Sequence, residues 1–167
     1  GQSITAWLVD AETAEVHRRL SDGQRRMDLD VMVENVAGGL LDVAALSTLW
    51  ERARQLPEIP GPVMSHGDLM PGNVLVRGDR LAGVIDTGGF AAADRALDLV
   101  AAWHLLELGP RAVLRTRRGS GDLEWARGQA WALQQALGLV WYYQVSNPVM
   151  AAIGARTLQR ILTDPAL

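Results

Sequence analysis

A single β-hairpin within an otherwise helical chain is the feature that most constrains the fold. Residues 74–76 and 81–85 are short runs of β-favouring residues, and Arg77-Gly78-Asp79-Arg80 separates them. A Gly-Asp pair between two such runs is typical of a hairpin turn. No other stretch has a strand pattern. We therefore predict a mainly α domain with one small β-hairpin, which is an α+β arrangement.

Helices are predicted on both sides of this hairpin, because apolar residues recur there at three- and four-residue spacing. Asp42 and Asp122 are predicted N-caps, and the three prolines of residues 57–62 indicate a linker or loop. We divide the chain into a helical segment with its linker (1–62), a hairpin segment (63–94) and C-terminal helices (95–167). The predicted helices cover residues 10–20, 27–37, 42–56, 95–108, a shorter segment from Pro110, 122–143 and 147–162.

Composition excludes several classes of function. The net charge is only −3 and no basic stripe is present, so no nucleic-acid partner is predicted. No uninterrupted apolar run reaches the length of about 18 residues that a membrane helix needs. The absence of cysteine excludes disulfides and thiolate metal sites, and it favours a reducing, cytoplasmic setting. All 16 basic residues are arginine, so this chain cannot complete a mechanism that needs a lysine.

Oxygen-bearing side chains converge at one end of the predicted hairpin. Asn73 precedes the first strand and Asp86 follows the second, and Asp68 lies in the loop that leads to the same end. An antiparallel ladder brings Asn73 and Asp86 together whether the turn is the tighter or the wider of the two possible ones. Two carboxylates and a carboxamide form a site for a hard cation, and Mg²⁺ is its natural occupant.

The spacing of these residues resembles the catalytic loop of kinases. In kinases an Asn follows the Asp of His-x-Asp by five residues, and a later Asp-x-Gly supplies a second metal ligand. Here these positions hold His66-Gly67-Asp68, Asn73 and Asp86-Thr87-Gly88. Gly67 and the segment Ala93-Asp94-Arg95-Ala96-Leu97-Asp98-Leu99 are similar to the aminoglycoside phosphotransferase family of small-molecule kinases. The resemblance runs from about Leu56 to Leu162 and implies the C-terminal lobe of a protein-kinase-like fold.

The resemblance implies a role for each matching residue. Asp68 would accept or orient the proton of a substrate hydroxyl, while Asn73 and Asp86 would hold Mg²⁺ and the nucleotide, ATP or GTP. Asp98 would accept backbone hydrogen bonds and fix the catalytic loop. His66 is interpreted as a packed loop residue rather than a general base. For Asp94 and Arg95, a structural ion pair and a substrate contact both remain open.

The phosphate acceptor is predicted to be the hydroxyl of a small molecule rather than a protein. Only residues 87–94 separate Asp86 from the next predicted helix, which is too short for the activation segment of a protein kinase. Gly67 also stands where a protein kinase carries the arginine that contacts a phosphorylated activation loop. An aminoglycoside, a macrolide, another antibiotic, or a metabolite such as choline or homoserine all remain open as acceptors.

The parts of a kinase that cradle nucleotide phosphates are missing from this sequence. It contains no lysine and no Gly-x-Gly-x-x-Gly loop, and its one hairpin cannot supply a five-stranded lobe. We expect the chain to be a piece of a longer enzyme whose N-terminal ATP-binding lobe is not present here, and to be inactive alone. The alternative is a catalytically inactive kinase-fold fragment, or a module that only binds a nucleotide or small molecule.

Overall fold

The computed structural model describes residues 41–164 and residue 166, so the helices predicted before residue 41 lie outside the described part. The described elements confirm a mainly α fold with small antiparallel β elements. In chain order they are α1 Val43–Ala53, β1 Val63–Ser65, β2 Val74–Arg77, β3 Arg80–Val84, β4 Ala91–Ala93, α2 Val100–Leu105, α3 Leu108–Arg118, α4 Asp122–Tyr143 and α5 Pro148–Thr163. Single 3-10 turns occupy Pro71–Asn73, Thr87–Gly89 and Leu97–Leu99.

Local capping signals set the starts of α1 and α5 as predicted. The Asp42 side chain accepts a hydrogen bond from the Ala45 N–H at 2.9 Å, which satisfies one of the free donors at the start of α1. The Asn147 side chain accepts the N–H of Met150 at 3.3 Å. Pro148 is the first helical residue of α5, where the lack of an N–H has no consequence for helix bonding.

The predicted hairpin is present, with the tighter of the two turns. Arg77 pairs with Arg80, and Gly78 between them has the positive φ of +63° that such a two-residue turn requires at its first position. The register then shifts, because Val76 pairs with Leu81 but Leu75 pairs with Gly83. Ala82 is therefore the extra residue of a β-bulge.

A second pair of strands corrects the expectation that the hairpin is the only β element. Strands β1 and β4 pair antiparallel, with Val63 opposite Ala93 and Ser65 opposite Ala91. Three alanines carry no β-branched or aromatic signal, so β4 forms through its pairing partner rather than through its own propensity. This pair of strands brings together the two ends of the segment that contains the hairpin and the candidate site residues.

The helix predicted over 95–108 is also corrected. After the 3-10 turn, α2 spans only Val100–Leu105, and the chain is extended at Leu106 before α3 begins. Continuation is blocked because Pro110 has no N–H to donate to the Leu106 carbonyl, and its ring would collide with that group. The predicted N-cap Asp122 is likewise wrong: Gly121 caps α4, and Asp122 lies in its first turn and pairs with Arg115.

The core lies where α4 packs against the other helices. Its fully buried side chains include those of Trp103, Leu133, Leu137, Leu158 and Ile161. Helices α4 and α5 approach so closely at Gly154 that an added Cβ would lie 2.7 Å from a backbone oxygen of α4. Within residues 41–164, no helix combines the length and apolarity needed to cross a bilayer.

Candidate functional site

The β1–β4 pair positions the segment that carries the candidate site. The loop with His66 and Asp68 begins directly after β1, and the hairpin and Asp86 follow before the chain returns through β4. Ser65 and Ala91, the last pair of this ladder, therefore fix both ends of the segment. All of the candidate site residues predicted between 66 and 86 lie on this one segment between β1 and β4.

Asp98 ties the loop to the start of the helical core. Its Oδ2 accepts the N–H of His66 at 2.9 Å, and its Oδ1 accepts the N–H of Gly67 at 2.8 Å. A carboxylate can accept both bonds because it has two equivalent oxygens. The backbone immediately before Asp68 is therefore held by a charge-assisted pair of hydrogen bonds.

His66 is buried and uses both ring nitrogens within the loop. Nε2 lies 2.8 Å from the carbonyl oxygen of Ile85, which can only accept, so this nitrogen carries the proton. The other nitrogen, Nδ1, accepts the backbone N–H of Asp68 at 3.3 Å. His66 thus connects the loop to the outgoing end of the hairpin, and this arrangement favours a packed loop residue over a general base.

Asn73 holds Asp68 in place. Its amide Nδ2 donates to the Asp68 backbone carbonyl at 2.9 Å and to Asp68 Oδ2 at 2.8 Å. The Asp68 side chain is half-buried, and its Oδ1 accepts no hydrogen bond from the residues that the structure describes. The carboxylate is therefore oriented through one oxygen while the other stays available.

The end of the hairpin offers oxygen donors that fit a hard cation. Asn73 uses its amide hydrogens on Asp68, so its Oδ1 remains an acceptor. Asp86 is exposed and adopts a left-handed conformation with φ of +60°. Both residues lie at the open end of the hairpin, where the Ile85 N–H donates to the Asn73 carbonyl at 3.0 Å and Asp86 is the next residue. In the described part of the chain, no three His, Cys, Asp or Glu side chains gather as a metal site.

Asp94 lies in a structural ion pair, but not with Arg95. Its Oδ2 accepts from Arg127 and from Trp131 Nε1, the latter at 3.1 Å, while its Oδ1 accepts the N–H of Ala96 at 2.9 Å. Arg127 also donates to the carbonyl of Pro57 in the proline-rich linker at 2.8 Å. Arg95 instead lies half-exposed, with its Nε 3.6 Å from Glu124.

Three residues that were not predicted as site residues lie behind the loop. Gln135 Nε2 donates to the Gly67 carbonyl at 2.9 Å, and its Oε1 lies 3.2 Å from His104 Nε2. His104 Nδ1 lies 3.0 Å from the hydroxyl of Thr157. Burial lowers the pKa of His104 from its ordinary value of 6.5, opposed by the Gln135 hydrogen bond and by the charge of Asp68. The available sequence signal was a polar residue on an otherwise apolar helix, which does not identify its partner.

Comparison with known proteins adds a family. Residues 8–131 match the phosphotransferase enzyme family. An aminoglycoside 3'-phosphotransferase of Streptomyces fradiae is 39% identical over 102 residues, which cover 60% of this chain and 36% of that protein. An aminoglycoside 3'-phosphotransferase of Escherichia coli is 42% identical over 60 residues, which cover 35% of this chain and 22% of that protein. No solved structure gives a significant match.

Proposed function

The chain belongs to the phosphotransferase enzyme family, and from that premise we propose that the protein transfers the γ-phosphate of a nucleoside triphosphate to a small-molecule hydroxyl. Membership of this family implies a protein-kinase-like fold. We propose that this chain is the C-terminal lobe of that fold. The proposed acceptor is an aminoglycoside-like antibiotic or a related metabolite, because both matched relatives are named as aminoglycoside 3'-phosphotransferases. ATP is the proposed donor, with GTP as the other candidate, and the proposed setting is the cytoplasm.

The observation that carries the proposal is the arrangement of Asp68 and Asn73. One carboxylate oxygen of Asp68 is fixed by the Asn73 amide at 2.8 Å, and the loop before it is fixed by Asp98. A general base needs this combination of a rigid backbone, a fixed side-chain plane and one available oxygen. The sequence spacing that resembled a kinase loop thus coincides with a geometry suited to proton acceptance.

The proposed reaction uses Asp68 at the acceptor. Its carboxylate accepts the hydroxyl proton while the hydroxyl oxygen forms a bond to the γ-phosphorus. The bond between this phosphorus and the bridging oxygen breaks at the same centre, and a nucleoside diphosphate leaves with the bonding electron pair. The products are a phosphorylated acceptor and the diphosphate, and the proton on Asp68 is later released to water.

Asn73 and Asp86 are the proposed holders of Mg²⁺ and, through it, of the nucleotide phosphates. Their free oxygens are hard donors of the kind that Mg²⁺ prefers, and both residues lie at the open end of one hairpin. A magnesium ion bound there would offset negative charge on the phosphates.

The remaining catalytic parts are proposed to come from the rest of the protein. The chain spans about a third or less of the length of the curated relatives it matches. It also contains no lysine that could contact the phosphates. We expect the gene to encode roughly 100 or more residues before Gly1, forming a mainly β lobe that contributes a lysine. A start codon immediately before Gly1, with no partner subunit, would contradict this and favour a binding module.

The central experiment is Asp68→Asn in the full-length protein. Asn has nearly the same shape, so folding and ATP–magnesium affinity should be almost unchanged. Phosphate transfer to a panel of amino sugars, macrolides and amino alcohols should fall by roughly a hundredfold or more, because Asn cannot accept the hydroxyl proton. Wild-type turnover in the variant would refute the mechanism. Wild-type protein that binds ATP–magnesium in calorimetry but phosphorylates nothing would support the binding-module alternative.

A further inference from the structure

A line of hydrogen bonds runs from the candidate catalytic loop into the helical core. It consists of Gln135 on α4, His104 on α2 and Thr157 on α5, which we call the core network. Gln135 contacts the Gly67 carbonyl at 2.9 Å, His104 contacts Gln135 at 3.2 Å, and Thr157 contacts His104 at 3.0 Å. His104 is 2% exposed and Thr157 is fully buried, so water is excluded from the bond between them, while Gln135 and Gly67 are partly buried. Three helices are thus connected to one peptide group of the loop.

The acceptor-only Gly67 carbonyl fixes the direction of the first two bonds in the core network. The Gly67 carbonyl can only accept, so the Gln135 amide nitrogen must face it and the Gln135 oxygen must face His104. His104 therefore carries its proton on Nε2, and burial, by lowering its pKa, keeps the ring neutral. The neutral ring accepts at Nδ1 from the Thr157 hydroxyl, whose single proton also lies within reach of the Ile153 carbonyl, 3.0 Å from the hydroxyl oxygen. The Gly67 carbonyl prevents the Gln135 amide from turning around, because a turned amide would place its oxygen against the carbonyl oxygen. The His104 N–H donates to the Gln135 oxygen and so holds the side chain in this orientation.

The peptide group that receives this network is the one that enters Asp68. A trans peptide is planar, so the Gly67 carbonyl and the Asp68 N–H point in opposite directions within the same plane as the Asp68 Cα. Gln135 holds the carbonyl side, while His66 Nδ1 accepts from the N–H side at 3.3 Å. Rotation of this plane would turn the Cα–Cβ bond of Asp68. The hydrogen bond from Gln135 therefore sets the direction in which Asp68 leaves the backbone.

We propose that Gln135 is a positioning residue for phosphotransfer, and that His104 acts through it by holding its amide oxygen. This inference rests on the proposed function, since Asp68 is the group being positioned. A positioning role and a purely structural role predict different effects of substitution on kcat. A residue that only stabilises the fold would change the melting temperature and leave kcat of the folded enzyme intact. A positioning residue lowers kcat while substrate binding stays close to normal.

Gln135→Glu in the full-length enzyme removes the hydrogen bond to Gly67 and keeps the one from His104. Glutamate has the same shape and still accepts from His104, but its carboxylate cannot donate to the Gly67 carbonyl. We expect kcat to fall roughly tenfold or more, with KM for nucleotide and acceptor within about twofold of wild type. A kcat within about twofold of wild type, in protein with normal circular dichroism, would overturn the proposal.

A matched pair at residue 104 tests the second half of the inference. His104→Gln places an amide N–H near the former Nε2, so it should retain most of the activity. His104→Leu fills the space without a donor, so the Gln135 oxygen loses its partner, the side chain is held less firmly, and kcat should fall as in Gln135→Glu. Equal kcat values for the two His104 variants would show that His104 does not influence kcat through Gln135.

Amide hydrogen exchange separates failure of this inference from failure of the proposed function. The peptide that contains residues 66–70 should exchange faster in Gln135→Glu than in wild type, whether or not the enzyme reaction is known. If wild-type protein phosphorylates no acceptor, the proposed function fails, and this exchange measurement still decides whether Gln135 anchors the loop. Unchanged exchange in that peptide would overturn the anchoring claim itself.

Discussion

The Oδ1 atom of Asp98 accepts the backbone N–H of Gly67 at 2.8 Å, although 31 residues separate the two in the sequence. Its other oxygen accepts the N–H of the preceding residue, His66, at 2.9 Å. Both contacts need an acceptor, so the site specifically requires a carboxylate. An amide of the same shape offers one acceptor and one donor, and it would place an N–H against an N–H.

Asp98→Asn should therefore weaken both the fold and the catalytic loop. We expect the free energy of unfolding to fall by about 1–3 kcal/mol, the usual range for a lost charge-assisted bond that leaves a donor unsatisfied. Urea unfolding and steady-state kinetics of the full-length protein measure the two effects. Asp79→Asn, at the exposed hairpin turn, is the matched control and should change stability by less than about 0.5 kcal/mol. An Asp98→Asn variant equal to this control would show that the loop does not depend on the carboxylate.

Asp86→Asn tests the proposed metal site with little disturbance of the backbone. Asp86 has a φ of +60°, a conformation that asparagine tolerates, so the variant removes the charge while the turn is kept. Magnesium-dependent turnover should fall to background, and Asn73→Ala should weaken it. Asp86→Ala also removes the charge but adds backbone strain of about 1–2 kcal/mol, so comparing melting temperatures separates strain from metal loss. Near-normal turnover in Asp86→Asn would show that Mg²⁺ is assigned to the wrong residues.

The Asp94–Arg127 pair should make a large contribution to stability. Their side chains are only 11% and 10% exposed, so removal of Arg127 leaves a buried carboxylate without its charge partner. We expect Arg127→Met to lower the free energy of unfolding by about 3–5 kcal/mol. Arg118→Met is the control, because the pair of Arg118 with Glu124 lies near the surface and should contribute less than about 1 kcal/mol. Similar losses in the two variants would argue that burial of the first pair is unimportant.

His104 should make the stability sensitive to mild acid. Burial lowers its pKa in the folded protein below the ordinary value of 6.5, so the unfolded chain binds a proton there more readily than the folded protein. The contribution of His104 to stability is complete above that ordinary value and declines as the pH falls through it toward the folded-state pKa. Melting temperatures between about pH 5 and pH 7.5 should show a smaller decline in His104→Gln than in wild type. An identical decline in both proteins would assign the pH dependence to other groups.

Structural features that are determined by a few neighbouring residues could be predicted from the sequence. Asp42 and the Asn147-Pro148 pair mark helix starts. The Asp42 and Asn147 side chains accept N–H groups three residues later, and Pro148 is the first residue of its helix. The Gly78-Asp79 turn was identifiable because a two-residue hairpin needs a positive φ at its first position. The hairpin predicted that Asn73 and Asp86 lie at one end of it, and the structure pairs Asn73 with Ile85, the residue before Asp86. The choice of Asp68 and Asp98 came from the family resemblance.

Features that depend on distant partners could not be predicted in the same way. Strand β4 is three alanines and exists through its pairing with β1. Arg127 and Gln135 are polar residues on an apolar helix, and a single sequence does not reveal that their partners lie 33 and 68 residues away. The break at Leu106 was missed because the apolar spacing continues across it, while the proline four residues later stops the helix.

The bulge at Ala82 restricts how this hairpin can vary in length. One further residue added to a single strand would shift the pairs that follow by one position and so change the backbone contact between Asn73 and Ile85 at the open end. Natural variation should therefore occur at the tip, or as matched additions to both strands that leave the open end unchanged. A short peptide inserted between Gly78 and Asp79 should be tolerated, because it lengthens the turn and leaves the strand pairs in place. The tip is thus a practical position for a fluorescent or affinity label.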